Sequence, residues 1–185
     1  MIETGKEEWI CSVAFNSDGM HVLGGVSDGL RRWRAADGQE VGNKMGMDVR
    51  VISVSRDGKW IVCGTENGAS VWDAKIQEKA IEVEDTERVM VVDISPGSTR
   101  FATAADNNAS IWNIVTGKRS VGPLQHSSYI VGIKFSPNGE HVATAVKDNL
   151  NSIRVFDSRN GDQLITIKTD IPAPWPPVGS PCVVE

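Results

Sequence analysis

Four near-copies of one hairpin run along the chain: VAFNSDGMHVLGG, ISVSRDGKWIVCG, VDISPGSTRFATA and IKFSPNGEHVATA. Their anchors Phe15, Val54, Ile94 and Phe135 stand 39, 40 and 41 residues apart. Eighteen residues beyond each of the first three anchors comes a tryptophan, Trp33, Trp72 and Trp112, and the fourth copy has Phe156 after three extra residues. A repeat that keeps its internal offset this closely restricts the chain to stacked units that bury their faces on one another. A period near 40 with strand patterning points to small sheets rather than helix pairs.

Apolar residues alternate before each anchor (Cys11, Val13, Phe15; Ile52, Val54; Met90, Val92, Ile94; Val131, Ile133, Phe135), which is the two-residue period of a strand. A turn such as Ser136-Pro137-Asn138-Gly139 follows, with proline presetting φ and glycine taking the strained position. The second strand carries small residues, Gly24-Gly25, Cys63-Gly64, Thr103-Ala104 and Thr144-Ala145, so neighbouring sheets can approach. The third strand ends in the tryptophan, whose ring is expected to bury against the next unit. Weaker outer strands are expected at about 39 to 42, 78 to 83, 118 to 122 and 162 to 167. The units divide as a lead-in over 1–8, repeats over 9–46, 47–84, 85–124 and 125–168, and a proline-rich tail over 169–185.

The formal charge of −5 argues against phosphate backbones and anionic lipid as partners. No apolar run reaches the roughly 20 residues that span a bilayer, and the first residues lack a signal-peptide pattern, so the expectation is a cytoplasmic or nuclear, unsecreted chain. Cys11, Cys63 and Cys182 are odd in number and widely spaced, which speaks against both a disulfide framework and a zinc site. Asn108-Ala109-Ser110 has the form of a glycosylation sequon and Cys182-Val183-Val184-Glu185 that of a prenylation box, but neither has the context it needs. Gly117-Lys118 is a turn, not a phosphate loop.

These residues resemble the WD40-repeat family. Trp72-Asp73 is the eponymous dipeptide, Trp112-Asn113 and Phe156-Asp157 are near versions, and Trp33-Arg34 departs at its second place. TGKRSVGPLQH and FSPNGEHVATA resemble repeats of long fungal arrays, including those attached to NACHT-type nucleotide-binding domains. The resemblance covers roughly residues 8 to 167 and implies an all-β fold of four WD40-type β-propeller blades. It also implies a hydrogen-bonded set in each blade. His126, Thr144 and Asp148 fit that set in the fourth repeat, where Phe156 cannot donate the last bond, while Lys6, Met45 and Asp85 stand where the other repeats lack the histidine.

His21 and His141 share one repeat position with Trp60 and Arg100, so they are expected at the solvent-facing start of a strand. No nucleophile and base pair or metal-ligand cluster is apparent, so no catalysis and no cofactor are expected. Arg32 occupies the slot of Val71, Ile111 and Val155; a charge there implies an uncovered blade face or an acidic partner. The family's binding face, formed by loops before the first strand and after the second, would contain Met47, Asp48, Glu66, Asp85, Glu87, Asp106, Tyr129 and Asp148. Its acidic bias suggests a basic protein segment as partner. Four units are fewer than WD-type rings usually hold, so two copies completing a ring by self-association is a second expectation. Trp175 in the tail either lids the fourth blade or belongs to a broken lead into a fifth.

Overall fold

The computed structural model describes residues 9–26, 28–46, 48–84, 87–147 and 152–168. Among them there is no helix; fifteen strands form four antiparallel sheets. Blade 1 contains β1 (Ile10–Phe15), β2 (His21–Val26) and β3 (Gly29–Arg34). Blade 2 contains β4 (Val51–Val54), β5 (Trp60–Thr65), β6 (Gly68–Asp73) and β7 (Glu78–Glu84). Blade 3 follows with β8 (Val89–Ile94), β9 (Arg100–Ala105), β10 (Asn108–Asn113) and β11 (Arg119–Gln125). Blade 4 has β12 (Ile130–Phe135), β13 (His141–Val146), β14 (Ile153–Asp157) and β15 (Gln163–Ile167). Each sheet is a meander in chain order, the outcome expected when short turns join successive strands.

The outer strand expected at 39 to 42 does not form. Residues 39 to 45 run beside β3 as a broken ribbon, held by isolated bridges Trp33 to Glu40 and Leu30 to Met45. Gly42 and Gly46 lie at φ 81° and 68°, so the backbone turns aside where a strand would stay extended. A second departure lies in the innermost strands. Register shifts at Cys11, Met90 and Val131 make each a bulge residue, which explains why these apolar side chains are exposed although they fit the alternation.

Directly paired residues share a face, so the register separates the two sides of every blade. Val54, Ile61 and Trp72 form one rung of blade 2, and they pack with Leu23 and Leu30 of blade 1. Ile94, Phe101 and Trp112 of blade 3 pack with Val62 and Val71 of blade 2. Phe135, Val142 and Phe156 of blade 4 pack with Ala102 and Ile111 of blade 3. The large ring at the end of the third strand therefore faces the preceding blade, not the next one. Three buried clusters join the four blades, and among the described residues none joins blade 4 back to blade 1.

The small residues of the second strands do what close approach requires. A Cβ on Gly64 would lie 2.8 Å from Val89 of the next blade, and one on Gly25 would lie 2.9 Å from Val49. Both are below any ordinary carbon contact.

Candidate functional site

The loop edge is made where the loops entering each first strand meet the turns between second and third strands. Each meeting is tied by backbone bonds: the Arg50 amide donates to the Gly64 carbonyl, Ile130 to Asp106, and Lys147 to Tyr129. The loops and turns of this edge are thus carried on paired strands, which gives side chains on them fixed positions.

Beneath this edge blades 2, 3 and 4 each hold a variant of one polar arrangement, which blade 1 lacks. In blade 4 the Nδ1 of His126 lies 2.9 Å from the Leu124 carbonyl and its Nε2 lies 2.8 Å from the Thr144 hydroxyl. A carbonyl can only accept, so Nδ1 carries the proton and the Thr144 hydroxyl donates to Nε2. Burial pushes the His126 pKa down from 6.5, and the Leu124 carbonyl opposes this only in part. The imidazole is a neutral strut. Phe156 cannot donate, and instead meets the His126 ring edge to face at 5.5 Å.

In blade 3 the Trp112 indole donates to the Thr103 hydroxyl at 2.9 Å. In blade 2 Cys63 stands at that threonine position, and the Trp72 indole turns to Ser70, directly opposite, at 2.8 Å. Burial drives the Cys63 thiol up to about 12, against a hydrogen bond with Ser70, so it stays protonated and inert. Blade 1 has Gly24 there; a Cβ would lie 2.6 Å from the Trp33 ring, so the ring rests directly on backbone. Met45 fills the histidine slot of blade 1's ribbon as a buried apolar residue.

The expected acidic face is only partly acidic. Glu66 accepts from Arg50 at 2.6 Å and lies 3.2 Å from Arg88, while Asp48 lies 3.2 Å from Arg50. This chain of alternating charge neutralises Asp48 and Glu66, and the two arginines that do it lie at strand starts that face-by-face reading of the loops leaves out. Asp28 is likewise held between Lys44 at 2.8 Å and Arg31 at 2.9 Å, and the Lys44 ammonium, then Arg31, hold its carboxyl below the usual range. Over the blade 3 to blade 4 junction the picture differs. The Asp106 carbonyl accepts from the Ile130 amide at 2.8 Å, the Asp106 side chain makes no ion pair among the described residues, and Tyr129 next to Ile130 is 63% exposed; Glu87, which enters blade 3, accepts from Asn108 at 3.5 Å. The exposed bulge residues Met90 and Val131 lie on the innermost strands of the same two blades. Met47, Asp85 and Asp148 lie outside the described residues.

Arg32 sits opposite Leu23, on the face of blade 1 that meets blade 2. The face of blade 1 that no other blade covers among the described residues is the other one. Arg32 is half-buried, its Nε is buried without a hydrogen-bond partner, and no carboxylate among the described residues pairs with it. His21 binds Asp18 at 2.8 Å in the first hairpin turn, and partial burial of that carboxylate is outweighed by bonds from His21 and the Met20 amide, which hold it at about 2. Among the described residues no three His, Cys, Asp or Glu side chains are grouped to hold a metal, and no helix is long and apolar enough to cross a membrane.

The family model described as WD domain, G-beta repeat matches residues 80–113 and 119–157. Each match begins on or just before the outer strand of one blade and ends on the third strand of the next, so the sequence repeat straddles two sheets. The chain is 36% identical over 63 residues to Autophagy-related protein 16 of Arabidopsis thaliana, an alignment of 34% of this chain and 12% of that protein. It is 27% identical over 125 residues to an uncharacterized WD repeat-containing protein of Synechocystis, covering 66% of this chain and 36% of the relative. With Eukaryotic translation initiation factor 3 subunit I of Coccidioides immitis it shares 36% identity over 75 residues, 38% of this chain and 22% of that one. The matched stretches therefore span between 12% and 36% of these relatives.

Proposed function

We propose, from the premise that this chain is a WD40-repeat protein, that it is a non-catalytic scaffold holding a protein partner on the loop edge of its blades. The family is in general one of interaction scaffolds, and one relative is by name a subunit of a larger factor. The supporting observation is the asymmetry of the loop edge. Asp48 and Glu66 are spent on Arg50 and Arg88, whereas Asp106, tied to the loop of the exposed Tyr129 through the Ile130 amide, makes no internal ion pair among the described residues.

An exposed aromatic beside an available carboxylate suits a lysine- or arginine-bearing segment, the ring giving contact area and the acid giving orientation. The reading assigns the partner's basic segment to the junction of blades 3 and 4 rather than to the whole edge. Capture of partners on the immobilised chain tests it. Binding should weaken steeply as salt rises, and Tyr129→Ala and Asp106→Asn should each reduce it about tenfold or more, the range of an interface hot spot. Binding that ignores salt and survives both variants contradicts the reading.

A further inference from the structure

The three junctions between blades reuse the same two positions. On the third strand, the residue facing the next blade is Val71 in blade 2 and Ile111 in blade 3, both wholly buried. In the turn that reaches back onto the preceding blade, the residue is glycine. A Cβ on Gly117 would lie 2.7 Å from Ile81, and one on Gly161 would lie 2.6 Å from Val121. The junction of blades 1 and 2 departs at both places, with Arg32 on the third strand and Gln77 in the turn.

Neither side chain finds a full set of partners there. Gln77 takes the left-handed conformation at φ 59°, where Gly117 and Gly161 have 66° and 82°, so it carries a side chain into space that the other turns leave to glycine. That side chain presses on the ribbon of blade 1: a Cβ on Gly42 would collide with its Nε2, and its Oε1 accepts from the Asn43 amide at 3.2 Å. The Nε2 itself is buried without a hydrogen bond. Arg32 stands beside the same stretch, its carbonyl accepting from the Val41 amide at 2.8 Å. The Nε atoms of Arg31, Arg50 and Arg154 are also buried without a hydrogen bond, but each of those side chains anchors another nitrogen, on Asp28, Glu66 and the Gln125 carbonyl respectively. Arg32, with its Nε equally buried, anchors none among the described residues.

A buried donor without a partner lacks the hydrogen bond it would make in water, and separating the two blades returns that bond to Arg32 and to Gln77 alike. We infer that the junction of blades 1 and 2 opens reversibly in the folded protein while the other two junctions stay closed, baring the face of blade 2 that carries Ile61, Cys63 and Trp72. Opening the other junctions returns no such bond at these positions, because valine or isoleucine and glycine occupy them. The polar ties that resist opening between blades 1 and 2 include only weak single bonds to Ser12 and Gln77, from the Ile52 and Asn43 amides at 3.1 Å and 3.2 Å. Cys63 is fully buried on the face that opens, so its thiol meets a reagent in solution only when the blades part. This opening involves blade faces and does not rest on the loop-edge reading.

Labelling of the whole chain with an excess of an aromatic disulfide, in the absence of denaturant, is the test. Cys11→Ser and Cys182→Ser leave Cys63 as the single thiol. Adding Cys63→Thr and Thr103→Cys moves that thiol to the matching place in the junction of blades 2 and 3. Cys63 is expected to react about tenfold faster than the moved thiol or more, the range that one unpartnered buried donor sets. Arg32→Val restores the side chain that blade 2 has at this position and is expected to slow Cys63 by about tenfold. Gln77→Gly restores the glycine of the other turns and is expected to slow it as well, and neither variant should alter the moved thiol. Unchanged circular dichroism confirms the fold of each variant, and the comparison of the two thiols needs neither of them. Equal rates for the two thiols, or a Cys63 rate that Arg32→Val or Gln77→Gly leaves unchanged or raises, would overturn the proposal.

Discussion

Blade 1 and the pair formed by blades 3 and 4 are made from the same repeat, yet they are held very differently. Between blades 3 and 4 the apolar cluster is reinforced by polar clamps. Asp93 accepts from the Phe135 amide at 2.8 Å and from Lys134 at 2.6 Å, while the Arg100 guanidinium donates to Gly139 and Ser158 across the junction. Between blades 1 and 2 the matching region offers Ser12, which accepts from the Ile52 amide at 3.1 Å, and Gln77, which accepts from Asn43 at 3.2 Å. Blade 1 also lacks a regular fourth strand and has Gly24 where the other blades carry the side chains of Cys63, Thr103 and Thr144. A shared repeat thus fixes the position of each sheet, while the few residues that differ decide how firmly it is held.

The largest test of that contrast uses one position in two blades. Ile133→Ala, in the buried cluster between blades 3 and 4, is expected to cost about 2–5 kcal/mol in denaturant unfolding. Val13→Ala, on the open face, is expected to stay within about 0.5 kcal/mol when measured on the single chain. Equal costs would erase the distinction.

Cutting the clamps should follow. Arg100→Ala strips donors from the Gly139 carbonyl and from Ser158 and is expected to cost ~1–3 kcal/mol, whereas Ser12→Ala removes one acceptor and is expected to cost about 0.5–1.5 kcal/mol. The same melts would show whether the ranking is reversed. Gly24→Ala drives a methyl into the Trp33 ring and should destabilise by about 1–3 kcal/mol. Gly132→Ala in blade 4, whose Cβ would sit 3.4 Å from Ala145, should be neutral within about 0.5 kcal/mol.

The smallest expected effect is a pH dependence confined to blade 4. The folded pKa of His126 is depressed, so its contribution is complete above 6.5, the unfolded value, and is lost as pH falls from there toward the folded value. His126→Gln should flatten that limb of the stability profile, and a limb unchanged by the substitution would assign it elsewhere.

Most of the sheet architecture is legible in the sequence because its signals are local: alternation, turn residues and the offset from anchor to tryptophan all act within one hairpin. What escapes is set between hairpins. Alternation says that Trp72 and Val71 lie on opposite faces, but not which face meets which neighbour, and the tryptophans in fact look backward along the series. Met90 and Val131 fit the alternating pattern, yet a bulge moves them out of the core. The loop edge reads as acidic until Arg50 and Arg88 converge on Glu66, a grouping of residues 16 and 22 positions from it that only strand pairing creates. The Tyr129 neighbourhood emerges from the same pairing, because the Ile130 amide is tied to the Asp106 turn.

Native-state amide hydrogen exchange, resolved strand by strand on the single chain, tests most directly whether a blade's stability comes from the neighbours that cover it. The amides of β9, β10 and β13, which lie inside the clamped pair, should exchange only with global unfolding, and those of β3 with its ribbon over 39 to 45 should open first. Equal protection in all four sheets, or slowest exchange in blade 1, would contradict that account.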